Sequence, residues 1–264
     1  MKTIAEVCQF LDCLYPIALA ESWDNTGLLV GDRTQTARYV MTCLTITPAS
    51  VQEAIDRGVN LIVSHHPLPF RPLTRITTDS IAGKMLWQLI RAGIAVYSPH
   101  TRFDSGSSGI NEMLCERLGL SEVCPLAVVG DNSSDSLGSG RMGRLAPPLS
   151  WPDWIGRIKS SFGPTAMRAV VSPTRKVECV AVACGSGGSL LASAIQQGCD
   201  TFVTGEMNFH SCLECQSNGL ALILLGHYQS ERFGIVQLAA QIQSGFSDLA
   251  VWASERESDP ISNW

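Results

Sequence analysis

Short apolar runs and helical patterns alternate along the first half of the chain. The apolar runs Tyr39–Ile46, Asn60–Ser64 and Ile94–Ser98 predict buried strands. Helical patterns over Pro48–Arg57 and from about Ile81 to Arg91 predict two helices that separate these strands. An alternation of strand and helix of this kind indicates an α/β sheet.

Further elements lie on either side of this region. Residues 3–14 predict a helix that begins with a capping box formed by Thr3 and Glu6. Ser22–Gly31 is a turn-rich loop that leads into a strand, and another predicted helix ends at Leu118.

The second half of the chain repeats the first. Ala54–Ser64 aligns without gaps to Ala194–Thr204, and the preceding strands, Tyr39–Leu44 and Cys179–Cys184, fall at the same separation. Because any two apolar strands align easily, the evidence for a repeat is that several segments align at the same separation in both halves. The repeat predicts an α/β fold of two similar lobes with mixed sheets, facing each other across a site.

The repeat also aligns residues that carry chemistry. Later in the two halves His100 meets His227, and Asp104 meets Glu231. A histidine followed four residues later by a carboxylate therefore occurs twice. His227 and Glu231 fall at the start of a predicted helix, where residues four apart lie on one face and can converge on one ion. An ordinary surface pair is the alternative, and Asp104 equally suits a helix N-cap.

Residues 130–150 are rich in Gly, Ser, Asp and Pro and predict a linker between the lobes. The predicted domains are 1–128 and 129–264, with the last helix and strand able to pack back on the first lobe. A G-x-G-x-x-G sequence begins at Gly138, but no strand is predicted before it and Pro147 follows soon after. A dinucleotide-binding sequence of this kind follows a strand and opens a helix, so this one does not predict a dinucleotide site.

Composition and charge exclude several classes of protein. A net charge of -5 argues against nucleic acid as the main partner. No apolar run approaches the roughly 18 residues that a membrane span needs, and the N-terminus does not resemble a signal peptide. The ten cysteines therefore predict reduced, mostly buried residues of a cytoplasmic protein. Cys212 and Cys215 have C-x-x-C spacing but fall in the middle of a predicted helix, which argues against a thiolate site.

The five histidines of the chain all follow closely on predicted strand ends. Two of them are adjacent, in Ser64-His65-His66-Pro67, and neighbours in a regular strand point to opposite faces. Pro67 stops the strand pattern, so that His65 and His66 can each face one of two metals. A single hydrogen-bonded histidine in a loop is the alternative.

The candidate ligands are imidazoles and carboxylates, without a thiolate. That set suits Zn, Mn, Fe, Co or Ni. A pair of such ions lowers the pKa of bound water and holds attacking and leaving oxygens, which favours hydrolysis.

Two further stretches lie near predicted strand ends in the second half. The loop Gly185–Gly188 precedes a predicted helix, where its backbone N–H groups can hold an anion, although a tight turn without a ligand fits slightly better. Glu206 and His210 are candidates for general acid and base, or for partners that orient a ligand.

Five motifs in this order resemble one family. They are Asp24-Asn25-x-Gly27-Leu28, Ser64-His65-His66-Pro67-Leu68, His100-Thr101-x-x-Asp104, Thr204-Gly205-Glu206 and Gly226-His227-Tyr228-x-x-Glu231. From about residue 20 to residue 255, the chain resembles the Nif-three-like family of dinuclear-metal proteins, whose members are named type 2 homologues of GTP cyclohydrolase I.

The resemblance implies a pair of divalent metals in the cleft between the two lobes and a ring-shaped (toroidal) homohexamer. It places the metal ligands on His65, His66, Asp104, His227 and Glu231, with Glu231 as a bridge. His100 would then support the ligands from behind. The chain departs from the family's pattern at Arg102 and at Thr45-Ile46-Thr47, and Arg102 beside the site could alter substrate choice.

Three hypotheses follow. The first is a metal-dependent hydrolase of a nucleotide or another phosphorylated small molecule, with GTP ring-opening as the case that the resemblance suggests. Glu206 or His210 would move protons, and Arg102 and the Gly185–Gly188 loop would hold phosphate. The second is a metal-binding or regulatory scaffold without catalysis. The third is an α/β protein whose histidines are structural.

Overall fold

The computed structural model describes residues 1–128, 138–163, 167–171 and 176–262. In chain order its helices are α1 (Ile4–Leu14), α2 (Pro48–Asp56), α3 (Ile81–Arg91), α4 (Thr101–Ser105), α5 (Ile110–Leu118), α6 (Trp151–Phe162), α7 (Leu191–Gln196), α8 (Phe209–Ser217) and α9 (His227–Gly245). Its strands are β1 (Gly27–Val30), β2 (Tyr39–Cys43), β3 (Leu61–Ser64), β4 (Ala95–Ser98), β5 (Ser121–Val128), β6 (Gly138–Leu149), β7 (Arg168–Val170), β8 (Val177–Ser186), β9 (Thr201–Glu206), β10 (Ala221–Leu224) and β11 (Ala250–Ala253).

The first compact unit contains Met1–Phe103 and Arg232–Pro260. Its five-stranded sheet has the order β1–β4–β3–β2–β11, in which only β1 is antiparallel to its neighbour. Every residue of β3 and β4 is buried. One core cluster joins Val51 of α2 and Leu89 of α3 to Ile62 of β3. A parallel sheet covered by helices explains why these strands are continuous apolar runs.

The second compact unit is built around Asp104–Glu231. Its six-stranded sheet has the order β5–β6–β8–β9–β10–β7. Strands β8, β9 and β10 run parallel, and the other pairings are antiparallel. Phe202 of β9 and Leu222 of β10 are fully buried and share a core cluster with Ala194 of α7 and Cys215 of α8.

The prediction of two similar α/β lobes with mixed sheets is confirmed, unit by unit. The first sheet contains the order β2–β3–β4–β1 and the second contains β8–β9–β10–β7, each with three parallel strands and one antiparallel edge strand. Helices α2 and α3 precede β3 and β4 as α7 and α8 precede β9 and β10. The capping box of Thr3 and Glu6 is also present. The metal site in a cleft stays a prediction.

The predicted linker is wrong over β6, which is a long strand. The glycines of the G-x-G-x-x-G sequence lie inside it, next to β5. A Cβ at Gly138 would collide with the carbonyl oxygen of Ala127, and one at Gly143 would lie 3.0 Å from that of Ser121. These glycines therefore permit a close approach of two strands. Residues 130–137 of the predicted linker lie outside the described residues.

The predicted domains 1–128 and 129–264 stay a prediction. Strand β11 near the end of the chain pairs in parallel with β2, and the compact units divide after Phe103 and after Glu231. Among the described residues, no helix is both long enough and apolar enough to span a membrane. The cytoplasmic location stays a prediction.

Glu53 of α2 anchors the C-terminal segment in the first unit. Its buried carboxylate accepts the Ser254 hydroxyl at 2.7 Å and the backbone N–H groups of Glu255 and Arg256 at 3.1 Å. Burial alone would raise the pKa of Glu53, but the bond from Ser254 and those from the backbone outweigh it and lower the pKa. The carboxylate therefore stabilises the folded state in its ionised form.

Substituting Glu53→Gln is expected to lower the free energy of unfolding by about 3 kcal/mol, because buried donors lose a charged acceptor. A pKa below its unfolded value of about 4.3 means that this stabilisation is present above that pH and is lost as the pH falls through the folded pKa. Urea unfolding at pH 7 and at pH 3 measures both effects. The exposed neighbour Glu255→Gln is the control, and equal stabilities of the two variants at pH 7 would refute the assignment.

Candidate functional site

Three histidines follow the carboxyl ends of neighbouring parallel strands in the first unit. β3 ends at Ser64, directly before His65 and His66, and β4 ends at Ser98, two residues before His100. One ring nitrogen from each histidine lies within 4.8 Å of the other two. The ring centroids of His65 and His66 are 5.0 Å apart. The prediction that these two histidines follow the end of the strand is therefore confirmed, and the prediction that each faces one of two metals stays a prediction.

Asp24 fixes the ring of His100. Its buried carboxylate lies 2.6 Å from Nδ1 of His100 and accepts the hydroxyl of Thr101 at 2.5 Å and its backbone N–H at 3.1 Å. Burial alone would raise the pKa of Asp24, but the bonds from His100 and Thr101 lower it. An ionised Asp24 accepts the Nδ1 proton, which makes Nε2 of His100 the nitrogen that carries the lone pair.

His66 contacts Thr45, and the backbone at Thr45 is in turn bonded to the C-terminal segment. The Thr45 hydroxyl lies 2.6 Å from Nδ1 of His66. The Glu257 carboxylate, only 3% exposed, accepts the backbone N–H groups of Leu44 at 2.9 Å and Thr45 at 2.6 Å and pairs with Arg232 at 3.4 Å. Glu257 therefore braces the turn that positions His66.

In the second unit, His227 lies between two carboxylates. α9 begins at His227, whose Nε2 is 3.1 Å from Glu231 one turn later, while its Nδ1 is 3.0 Å from Glu206. The predicted placement of His227 and Glu231 on one helix face is confirmed. The hydrogen bond with Glu231 raises the pKa of His227 to about 9, against the effect of burial and with support from Glu206. The metal-free ring is therefore protonated near neutral pH, and a metal on Nε2 would displace that proton.

Asp104 lies within the short helix α4 and not at its N-cap. The thiol of Cys184 is 3.0 Å from its Oδ1, and the side-chain amide of Asn111 donates to its backbone carbonyl at 3.0 Å. Arg141 donates to the backbone carbonyls of Ser105 and Gly106, which directly follow Asp104. Burial and then the charge of Asp104 raise the pKa of the Cys184 thiol well above its ordinary value, so its S–H is the donor.

Gly185 makes room for the Glu231 carboxylate. Its φ is +55°, and a Cβ at this position would overlap Oε1 of Glu231 and lie 3.2 Å from Nε2 of His227. The N–H groups of Gly185 and Gly187 donate to the hydroxyls of Ser230 and Thr204. The predicted anion-binding role is therefore wrong for these two amides, which already have acceptors.

Arg102 is committed to the packing of the first unit. Its guanidinium is 1% exposed and donates to the carboxylate of Asp12 at 2.7 Å and to the backbone carbonyl of Tyr15 at the end of α1. A buried guanidinium with these partners has no access to a substrate. The prediction that Arg102 holds phosphate or alters substrate choice is therefore wrong.

The remaining predicted residues lie on α8. His210 is exposed in the first turn and lies 5.9 Å from the ring of Phe209. Cys212 and Cys215 lie in the middle of the helix, as predicted, and burial raises the pKa of Cys215 to about 11. All ten cysteines are free in the structure, and their reduced state stays a prediction.

Sequence reasoning missed four residues that orient the candidate ligands or the neighbouring His100. They are Asp24, Thr45, Cys184 and Glu257. Asp24 stood in one of the five motifs without an assigned role, and Cys184 was counted only among the ten mostly buried cysteines. Nothing in the local sequence marks Glu257, because it acts on a turn more than two hundred residues earlier.

The side chains that the structure orients fit a divalent metal. The first unit offers three imidazoles whose ring nitrogens lie close together. The second offers the His227 imidazole beside the Glu231 carboxylate, with Gly185 leaving the space that a Cβ would fill. Imidazole nitrogen and carboxylate oxygen are the donors that Zn, Mn, Fe, Co and Ni accept.

Comparison with known proteins shows the family of the chain. The family model described as Duf34/NIF3 (NGG1p interacting factor 3) matches residues 2–260. A Clostridium acetobutylicum protein named GTP cyclohydrolase 1 type 2 homolog is 30% identical, over 94% of this chain and 92% of its own length. A Helicobacter pylori protein named GTP cyclohydrolase 1 type 2 is 33% identical, over 94% of this chain and 95% of its own length. The crystal structure of a Bacillus cereus protein related to NIF3 has a TM-score of 0.92 at 24% identity, covers 100% of this chain and 99% of its own, and shows a shared fold.

Proposed function

Since the chain belongs to the Duf34/NIF3 family, we propose that it binds two divalent metal ions and hydrolyses a nucleotide or another phosphorylated small molecule. The proposed ligands are His65, His66, Asp104, His227 and Glu231, with Glu231 as the bridge. Zn, Fe, Mn, Co and Ni all suit this donor set. Ring-opening of GTP is the specific case that we propose, because the Helicobacter pylori relative carries the name GTP cyclohydrolase 1 type 2.

One observation carries the proposal: the proposed ligand His227 is held by a carboxylate on Nδ1 and has the Glu231 carboxylate 3.1 Å from its Nε2. Asp24 holds His100 at 2.6 Å, and Glu206 holds His227 at 3.0 Å. Histidines that bind metals in proteins commonly donate their second N–H to a carboxylate, which fixes the tautomer and the ring orientation. His100 has the same arrangement and lies beside the proposed ligands His65 and His66 without being one of them.

The chain's own residues would then orient the metal ligands and move protons. Bound metals would supply a water of lowered pKa and would polarise an oxygen of the substrate. Glu206 keeps the proton on Nδ1 of His227, and its side chain, 49% exposed, is accessible to exchange a proton with substrate or water. His210, also exposed, is a second candidate for this transfer.

Metal-dependent turnover tests the proposal. Glu206→Gln is expected to reduce kcat for GTP by about a hundredfold or more, as loss of a general acid or base does. Chromatography of products from a panel of nucleotides, with each of the five metals, measures this loss. The matched control is Glu214→Gln on the exposed face of α8. Equal kcat values for the two variants would refute the role of Glu206.

The alternative is a metal-binding or regulatory scaffold without catalysis. It gains support from Arg102 and from the Gly185 and Gly187 amides, since these predicted phosphate-binding groups are committed within the protein. A metal-loaded protein that turns over no nucleotide or phosphorylated compound with any of the metals would favour the scaffold.

We also propose that the chain forms a ring-shaped homohexamer and acts in the cytoplasm, in keeping with the family resemblance and the free cysteines. Sedimentation velocity of the purified protein tests the assembly. A single species with the mass of one chain or of a dimer would refute it.

A further inference from the structure

Two large aromatic side chains are exposed beside His100. Trp23 is 60% exposed and Phe70 is 46% exposed. Their ring centroids are 6.1 Å apart, and they lie 6.0 Å and 6.1 Å from the ring of His100. The His100 ring in turn lies 5.3 Å from that of His65 and 5.8 Å from that of His66. The aromatic pair therefore adjoins the histidines that present candidate metal ligands.

The backbone that carries these two rings is held in place. Next to Trp23, the buried Asp24 bonds to His100 and to Thr101. One residue further, the side-chain amide of Asn25 donates to the carbonyl of Pro69 at 2.7 Å, which ties the first loop to the residue before Phe70. The two rings are thus presented to solvent by anchored loops. The two rings adjoin each other and the histidines, and a contiguous exposed patch of this kind is a feature of binding sites.

The orientation of the rings indicates the kind of ligand. The interplanar angle is 64° between Trp23 and Phe70, 77° between Trp23 and His100, and 90° between Phe70 and His100. Because these rings meet edge to face, they do not stack on one another. A flat conjugated ring can stack on such a face and gains more from it than a saturated chain does.

We propose that Trp23 and Phe70 form a stacking subsite for the planar heteroaromatic ring of the substrate, such as a purine base. This inference rests on the proposed function, because it uses the same histidine cluster. The rings would hold the base, whereas the sugar and phosphate would make no stacking contact with Trp23.

Ligand binding to the metal-loaded protein tests the subsite. The probes are GTP and ribose 5-phosphate, which lacks the base, and calorimetry measures both dissociation constants. Trp23→Ala is expected to weaken GTP binding about tenfold to a hundredfold, the usual loss of one stacked base. Trp23→Phe keeps a ring and should retain most of the affinity. Ribose 5-phosphate should bind wild type and both variants equally.

Trp87→Ala on α3 is the matched control, since Trp87 is also an exposed tryptophan, at 45%. Two results would overturn the subsite: unchanged binding of GTP to Trp23→Ala, or an equal loss of affinity for GTP and for ribose 5-phosphate. Neither result would bear on the proposed metal-dependent turnover. A change of assembly state in Trp23→Ala would instead assign the rings to a contact between copies of this chain. Base binding that depends on Trp23 without any turnover would support the subsite and refute the hydrolase.

Discussion

Alanine at Glu231 is expected to remove most of the bound metal from the protein. We expect about two ions per wild-type chain, as in dinuclear hydrolytic sites, and fewer than half as many in Glu231→Ala. The Glu231 side chain is 4% exposed and contacts Nε2 of His227. Loss of its carboxylate therefore removes a proposed ligand and a negative charge that would balance the cations. Elemental analysis of protein purified without added metal measures the content.

Glu214→Ala, which removes an exposed carboxylate of α8, is the control for that experiment. Circular dichroism shows whether each variant is folded. If Glu231→Ala does not fold, Glu231→Gln takes its place, because it removes the charge and retains the side-chain volume. A folded Glu231→Ala protein with wild-type metal content would contradict the assignment. A wild-type protein that contains no metal and takes up no Zn, Mn or Fe on titration would refute metal binding altogether.

The second large effect is expected from Gly185→Ala, which changes no ligand. A left-handed φ costs a side chain about 1–2 kcal/mol, and the added Cβ would meet the carboxylate of Glu231. We expect the Glu231 side chain to be displaced and metal affinity to fall about tenfold to a hundredfold, as when a group that supports a ligand is lost. Calorimetric titration with Zn or Mn measures the affinity, and thermal unfolding with chelator measures the strain.

The same loop supplies a matched control. Gly188 has no heavy atom within 4 Å of the position of an added Cβ and does not have a left-handed φ. Gly188→Ala should therefore bind metal like the wild type. If both alanine variants bind metal with wild-type affinity, Gly185 does not shape the surroundings of Glu231.

The sequence predicted the fold where local patterns and topology agree. Buried parallel strands require uninterrupted apolar runs, and the gapless alignment of Ala54–Ser64 with Ala194–Thr204 predicted the repeated order of strands that both sheets show. The pattern failed at β6, because glycines that accommodate a neighbouring strand have the composition of a linker. Composition reports which residues are present and not what lies against them.

For the candidate site, the sequence predicted which residues could be ligands better than it predicted their surroundings. Histidines that follow strand ends can be found in a sequence, because parallel strands end at one edge of a sheet. The burial of Arg102 against α1 could not be found, since an arginine near a histidine in sequence can point in any direction. The Cys184 contact with Asp104 joins residues that are 80 positions apart. Such contacts depend on tertiary packing, which leaves no local pattern.

The hydrogen bonds made by Glu257 predict how loss of the C-terminal end would affect this protein. A protease that trimmed the chain before Ser254 would remove Glu257 together with the hydroxyl and backbone N–H groups that residues 254–256 donate to Glu53. The shortened protein would keep all five proposed ligands. It would still lose the bonds from Glu257 to the turn that carries Thr45, whose hydroxyl contacts His66. A low metal content in a preparation clipped at its C-terminus would then reflect the missing end of the chain and not a missing ligand. Mass spectrometry of the intact chain should therefore precede any measurement of its metal content.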